Sequence, residues 1–288
     1  MRSQFQIFMH INFTEQGTPL DAALALAKSW GFDGVEVRRA DLFGSMSDAA
    51  YFDGLCRAFD RSGLNALVLG APAINLMQSD PAGRVAALAD AMAFYEKARA
   101  RLPVAAVNCL LGELRNPDPS VFIHDWHLHG SAIALEEHWE WAVSGGKILA
   151  AFLESVGWEA GLESHMRYLH DEIAPTLRLV EAIGSSNLGV TLDVGNLLMM
   201  KDPPTLETCV SRLAPRTKMT HLKNIVRTFH GEVAGARLKD GDINNRQFLR
   251  LLRDAGVGGI LTIEAPSPGD RLAWAPEDLD YVRSLLEP

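Results

Sequence analysis

Short apolar runs and amphipathic stretches alternate along the whole chain. Phe5–Phe13 (F-Q-I-F-M-H-I-N-F), residues 34–38 (G-V-E-V-R), Asn65–Gly70 and Val104–Leu111 read as the first four strands. Glu159–His165, Leu188–Asn196 (L-G-V-T-L-D-V-G-N), residues 219–226 (M-T-H-L-K-N-I-V) and Gly259–Ala265 read as four more. Runs of this length with little polar alternation are strands buried on both faces. Helices are predicted between them: Leu20–Trp30, Ser47–Arg61, Pro81 to about Arg101, Ser131–Val156, Tyr168–Ile183, Thr205–Leu213, Asn244–Ala255 and Pro276–Leu286. Thr18 is placed as the first helix's N-cap, with Pro19 at its first position. Pro175 is expected to kink or interrupt its helix, and Gly145-Gly146 to make theirs irregular. Residues 112–130 read as a long polar-aromatic loop, and residues 227–242 as an irregular, charged excursion.

Eight strands alternating with eight helices imply a parallel sheet. At this length they predict one closed (β/α)8 TIM barrel, a single α/β domain over residues 1–288. An open doubly wound sheet would carry a Gly-rich nucleotide turn, and neither G-x-G-x-x-G nor G-x-x-x-x-G-K-[ST] is present.

Composition narrows the partners. The chain has 288 residues, 48% of them hydrophobic, and a net charge of -9, which argues against a nucleic-acid surface. Cys56, Cys109 and Cys209 are odd in number, contain no C-x-x-C pair, and read as reduced thiols of a cytoplasmic protein. The N-terminal stretch lacks the h-region and cleavage site of a signal peptide, and no apolar run reaches the ~20 residues of a membrane helix. The expectation is a cytoplasmic protein acting on small molecules, with homo-oligomerisation left open.

In a (β/α)8 barrel the chemistry sits at the C-terminal ends of the strands. Strands five to eight place Glu163, Asp193, His221 and Glu264 there, at spacings of 30, 28 and 43 residues. These correspond to one β/α unit, one unit, and one unit plus the excursion. A single carboxylate at a strand end is commonly an N-cap or an ion-pair partner, but four on successive strands can close around one ion. Three carboxylates and one imidazole suit Mn²⁺ first, with Mg²⁺, Co²⁺ or Zn²⁺ as alternatives, rather than a cysteine-built structural zinc site.

Six fragments, taken in order, resemble the xylose isomerase-like sugar phosphate isomerase/epimerase family. They are G-F-D-G-V-E-V (31–37), L-E-S-H (162–165), T-L-D-V-G-N (191–196), H-L-K-N (221–224), K-D-G-D-I-N (239–244) and T-I-E (262–264). That superfamily includes D-tagatose and D-psicose 3-epimerases, hydroxypyruvate isomerase, inosose dehydratase and endonuclease IV. The resemblance implies a divalent metal on Glu163, Asp193, His221 and Glu264, with Glu163 and Glu264 also transferring protons. It implies that Arg227 binds substrate. His10, Glu36 and His165 either contact substrate hydroxyls or support neighbouring groups. Asn196 stands where the ketose epimerases carry a histidine. It can hydrogen-bond a hydroxyl but is a poor ligand for a second metal, which argues against the multi-metal endonuclease.

The chemistry this implies is proton abstraction next to a carbonyl through a metal-stabilised enediolate. Isomerisation, epimerisation and, as the alternative, dehydration of a keto-polyol could all use the same ligands. His124, Trp126, His127 and His129 in the long loop read as a lid or oligomer contact, Trp126 offering an apolar or sugar-stacking face. A barrel that had lost catalysis would need neither glutamate. Elemental analysis of the purified protein should find one divalent ion per chain; several would favour the nuclease, and none would overturn the metal reading.

Overall fold

The computed structural model describes residues 4–12, 17–38, 47–70, 74–228, 232–264 and 269–287. Its first half runs β1 (Phe5–His10), α1 (Leu20–Trp30), β2 (Gly34–Arg38), α2 (Asp48–Ser62), β3 (Leu67–Gly70), α3 (Pro81–Arg101), β4 (Val104–Cys109) and α4 (Glu136–Ser155). Then come β5 (Ala160–Glu163), α5 (Ile173–Ile183), β6 (Leu188–Asp193), α6 (Val194–Leu198), α7 (Leu206–Leu213) and β7 (Thr217–Leu222). The chain ends with β8 (Asn224–Arg227), β9 (Val233–Ala236), α8 (Asn245–Asp254), β10 (Gly259–Ile263) and α9 (Arg271–Leu286). Eight strands close into a barrel in the order β1-β10-β7-β6-β5-β4-β3-β2, and β8 and β9 form a separate two-stranded sheet. Among the described residues no helix is long and apolar enough to cross a membrane, and all three cysteines are buried and free.

Contacts cluster into two compact units, Met1–Gly70 with Arg101–Ala105 and Met219–Pro288, and Ala71–Ala100 with Ala106–Lys218. In the first, β1 lies parallel between β10 and β2, with Phe8 opposite Thr262 and His10 opposite Glu36. There β7 pairs with β10 so that His221 stands opposite Thr262. Phe8, Met9, Val35, Leu67, Leu69 and Leu261 are fully buried here, as a parallel sheet covered on both faces requires. In the second unit β5 pairs with β4, setting Gly161 opposite Asn108, and with β6, setting Glu163 opposite Thr191.

Several predicted boundaries move, each for a local reason. Pro19 is the N-cap of α1 rather than its first residue, and Thr18 makes no cap. α4 begins at Glu136, because residues 126–128 and 130–133 form 3-10 turns instead. It then runs unbroken through Gly145 and Gly146. A Cβ at Gly145 would lie 2.6 Å from Leu76 Cδ1 and one at Gly146 2.8 Å from Ile183 Cγ1, so these glycines permit close packing and break nothing. α5 starts at Ile173, which puts Pro175 in the first turn, where its missing N–H costs no helical bond. Tyr168, expected in that helix, instead bridges to Glu113.

Strand seven stops at Leu222; the last residues predicted for it form β8, which pairs antiparallel with β9 from the predicted excursion, Arg227 opposite Val233. α9 begins before Pro276, at Arg271, because the Asp270 side chain caps Ala273 N. Phe13 and Ala265, included in the predicted strands, lie outside the described residues, as do residues 229–231 of the excursion.

Gly161 lies hard against the neighbouring strand of the second unit. A Cβ there would come within 2.6 Å of Thr191 N on the neighbouring strand, a backbone atom that cannot swing away. Gly161→Ala should therefore destabilise the protein by about 1–3 kcal/mol, the usual range for overpacking. Urea unfolding of the variant measures this, and an unchanged midpoint would show that the barrel wall can give.

Candidate metal centre

The strands of each unit carry part of a polar cluster at their C-terminal ends. In the second unit Glu163 ends β5 and accepts two amide hydrogen bonds. Asn108 Nδ2, from β4, donates to its Oε2 at 2.8 Å, and Asn196 Nδ2 donates to its Oε1 at 3.0 Å. Thr191 donates to Asn108 Oδ1 at 2.8 Å, which fixes that amide's orientation. Asp193, fully buried at the end of β6, is the N-cap of α6, its Oδ1 accepting from Asn196 N at 2.9 Å. Asn196 thus reaches two carboxylates, one through its backbone and one through its side chain.

In the first unit His221 Nε2 lies 2.9 Å from Glu36 Oε2, and its Nδ1 lies 3.4 Å from Glu264 Oε2. Lys223 Nζ contacts the same Glu264 oxygen at 2.7 Å. Lys223 is buried, so its ammonium depends on such a carboxylate. His10 Nδ1 accepts from Asn12 N, and its Nε2 stands 3.9 Å from Glu36 Oε1. Burial pushes the Glu36 carboxyl up, but the charge and hydrogen bond of His221, with His10 and Thr262, outweigh it and bring the group to about 2. Burial likewise opposes ionisation of Glu264, while Lys223, His221 and His10 hold it well below the usual carboxylate range. Burial pushes the His10 imidazole down against the pull of Glu36.

Glu163, Asp193, His221 and Glu264 each offer one ligand atom, and these atoms all lie within 4.8 Å of one another. This carboxylate and histidine cluster could hold a metal, and it is the only such group among the described residues. The donor chemistry fits: three carboxylates supply hard oxygens, and the imidazole supplies one nitrogen.

The family model described as "Xylose isomerase-like TIM barrel" matches residues 24–285. The chain belongs to this family. No curated protein matches the sequence. Among solved structures, a xylose isomerase-like TIM barrel protein from Mycobacterium smegmatis in complex with magnesium is 19% identical, with 99% of this chain and 98% of that one covered and a TM-score of 0.76. D-psicose 3-epimerase with D-tagatose from Clostridium cellulolyticum H10 is 18% identical, covering 99% and 100%, with a TM-score of 0.74. The IOLI protein with a bound zinc atom is 16% identical, covering 98% and 96%, with a TM-score of 0.72.

The remaining expected residues of this xylose isomerase-like barrel are more scattered. His165 is half-buried, its Nδ1 3.0 Å from Met166 O and its ring edge-on to Tyr168. Arg227 is exposed at the end of β8, its backbone N–H donating to Asp242 Oδ2 at 2.7 Å. In the long loop His129 is buried. Its Nδ1 accepts from Asn116 N at 2.9 Å and its Nε2 lies 3.1 Å from Phe122 O, so it ties the loop to itself. Trp126 is half-buried between His124 and the guanidinium of Arg167, 5.4 Å from its ring.

Two residues of the cluster escaped the sequence reading. Lys223 falls inside the predicted strand seven, M-T-H-L-K-N-I-V, and between β7 and β8 in the structure; a buried lysine in such a run signals an unseen carboxylate. Asn108 is the one strongly polar residue of V-A-A-V-N-C-L-L, and that interruption was the available signal.

Beneath Glu163 the turn into α5 is pinned by buried polar groups. His170 Nδ1 lies 2.5 Å from Glu163 O, and burial pushes the ring down to about 4. Asp171 Oδ2 accepts from Ser131 N at 3.0 Å, and burial pushes its carboxyl up to about 6, above its ordinary 3.8. A raised carboxyl favours the folded state most at pH below the unfolded value, and that contribution fades as pH rises through the folded value. Asp171→Asn should therefore raise the melting temperature relative to wild type at pH 7–8 and leave it little changed near pH 4. Thermal unfolding across that range checks it; equal differences at both ends would contradict the linkage.

Proposed function

We propose that this protein is a divalent-metal-dependent isomerase or epimerase of a small sugar or related hydroxy-ketone, with Glu163 and Glu264 handling the protons. The observation that carries this reading is the convergence of Glu163, Asp193, His221 and Glu264 within 4.8 Å. Family membership and the likeness to a D-psicose 3-epimerase support the substrate class. A divalent ion held by those four residues, Mn²⁺ first and Mg²⁺, Co²⁺ or Zn²⁺ as alternatives, would stabilise the negative charge that develops on a substrate carbonyl oxygen. On this reading the chain is a single cytoplasmic (β/α)8 domain that works on small molecules rather than nucleic acid.

The two glutamates have unlike surroundings, and that divides their labour. Glu163 accepts from the amides of Asn108 and Asn196, which orient it and carry no net charge. Glu264 lies against the Lys223 ammonium, and a neighbouring cation disfavours protonation. Glu163 is therefore the base that takes the C–H proton. Delivery of that proton to the neighbouring carbon gives isomerisation. Protonation of the same carbon from the other face gives epimerisation; there Glu264 hands on a proton drawn from the Lys223 ammonium against it, and the proton held by Glu163 returns to solvent. Asn196, His165, His10, Arg227 and Trp126 are the candidates for holding substrate.

Incubation with ketoses in deuterated water and added Mn²⁺ should incorporate deuterium into substrate with no loss of water. Glu163→Gln should lower that exchange by about 10²–10⁴-fold, the usual contribution of a general base, with an unchanged melting temperature. Mass loss of water would make the enzyme a dehydratase instead, and exchange that survives Glu163→Gln would remove Glu163 as the base.

A further inference from the structure

Glu36 lies on β2, with β1 and β10 between it and the strand of His221 in the barrel order, yet it is the residue against which that imidazole rests. Glu36 is wholly shielded from solvent, and its Oε2 is 2.9 Å from His221 Nε2. A carboxylate can only accept, so Nε2 carries a hydrogen, and the lone pair that the ring can offer a cation is that of Nδ1. Nδ1 is also the nitrogen that faces Glu264, at 3.4 Å. The other carboxylate oxygen, Oε1, is turned toward a second imidazole, His10 Nε2, at 3.9 Å. Because His10 Nδ1 accepts from Asn12 N, that ring too presents an N–H to Glu36. Gly70, at the end of β3, leaves room for this arrangement: a Cβ there would stand 3.2 Å from Glu36 Oε1.

We propose that Glu36 is the positioning residue for His221, fixing the tautomer and ring plane in which Nδ1 presents its lone pair to a divalent cation. The resemblance set Glu36 against substrate hydroxyls or in a supporting role. With its two oxygens turned to His221 and His10, the supporting role is the one the geometry fills. An ionised outer carboxylate also makes the ligating nitrogen more basic, and outer partners of this kind are typically worth about 10–100-fold in metal affinity. The inference rests on the metal reading above, because His221 needs a fixed lone pair only if it is a ligand.

Two measurements test it. Nitrogen-15 NMR of the zinc-loaded wild-type protein should show His221 carrying its proton on Nε2; a proton on Nδ1 overturns the proposal. Calorimetric titration with Mn²⁺ should then give binding to wild type, an affinity about 10–100-fold lower for Glu36→Ala, and a smaller loss for Glu36→Gln, which keeps an acceptor oxygen and the side-chain volume. A Glu36→Gln protein that melts like wild type shows that any loss is local to the site. Wild-type affinity in both variants overturns the positioning role while leaving the metal reading intact. Failure of the wild-type protein to bind Mn²⁺ sinks the metal reading and this inference with it.

Discussion

A carboxylate inside a parallel barrel has lost its water, at an effective cost of several kcal/mol per ion, and must find its compensation in the neighbouring strands. Much of what surrounds the candidate site answers that one demand. Glu163 is met by two side-chain amides, Asp193 by a helix N-terminus, Glu264 by Lys223 and His221, and Glu36 by two imidazoles. The groups that make these charges tolerable also fix where each oxygen lies. The stability problem and the preorganisation of the site therefore have the same solution.

Strand register does the placing. Parallel pairing sets Glu163 opposite Thr191 and His10 opposite Glu36, so the polar side chains of adjacent strands meet at matching heights. Gly161 leaves the space that Thr191 occupies, Thr191 orients Asn108, and Asn108 holds Glu163. Helix α6 starts immediately after Asp193, and its first turn brings Asn196 back over the ends of both β5 and β6. At the position where ketose epimerases carry a histidine, this chain has an amide that reaches both Glu163 and Asp193.

The alternation of elements and the four strand-end donors that cluster were legible in the sequence because both follow from local rules. Strands buried on both faces are unbroken apolar runs, and a charged residue that ends such a run stands out. Repeats of one β/α unit then predict that Glu163, Asp193 and His221 are neighbours. The hairpin β8–β9 was not legible as such: N-I-V read as the end of strand seven, and V-A-G-A is short and lacks the alternation of a half-buried ribbon. The prolines misled for a different reason: Pro175, read as a kink or break, sits in the first turn of α5, and Pro276, read as a helix start, sits inside α9, because the neighbouring caps decide where each helix begins.

By itself, then, the sequence determined the periodic alternation, the class of barrel it closes into, and which strand ends carry oxygen and nitrogen donors. These depend on residue type and spacing along one chain. Only the tertiary structure decided what each donor faces. Asn108 and Glu163 are 55 positions apart, and Glu36 and His221 are 185 apart. At such separations nothing local couples two residues, and side-chain direction, tautomer and charge pairing are set by which strands the closed sheet brings together.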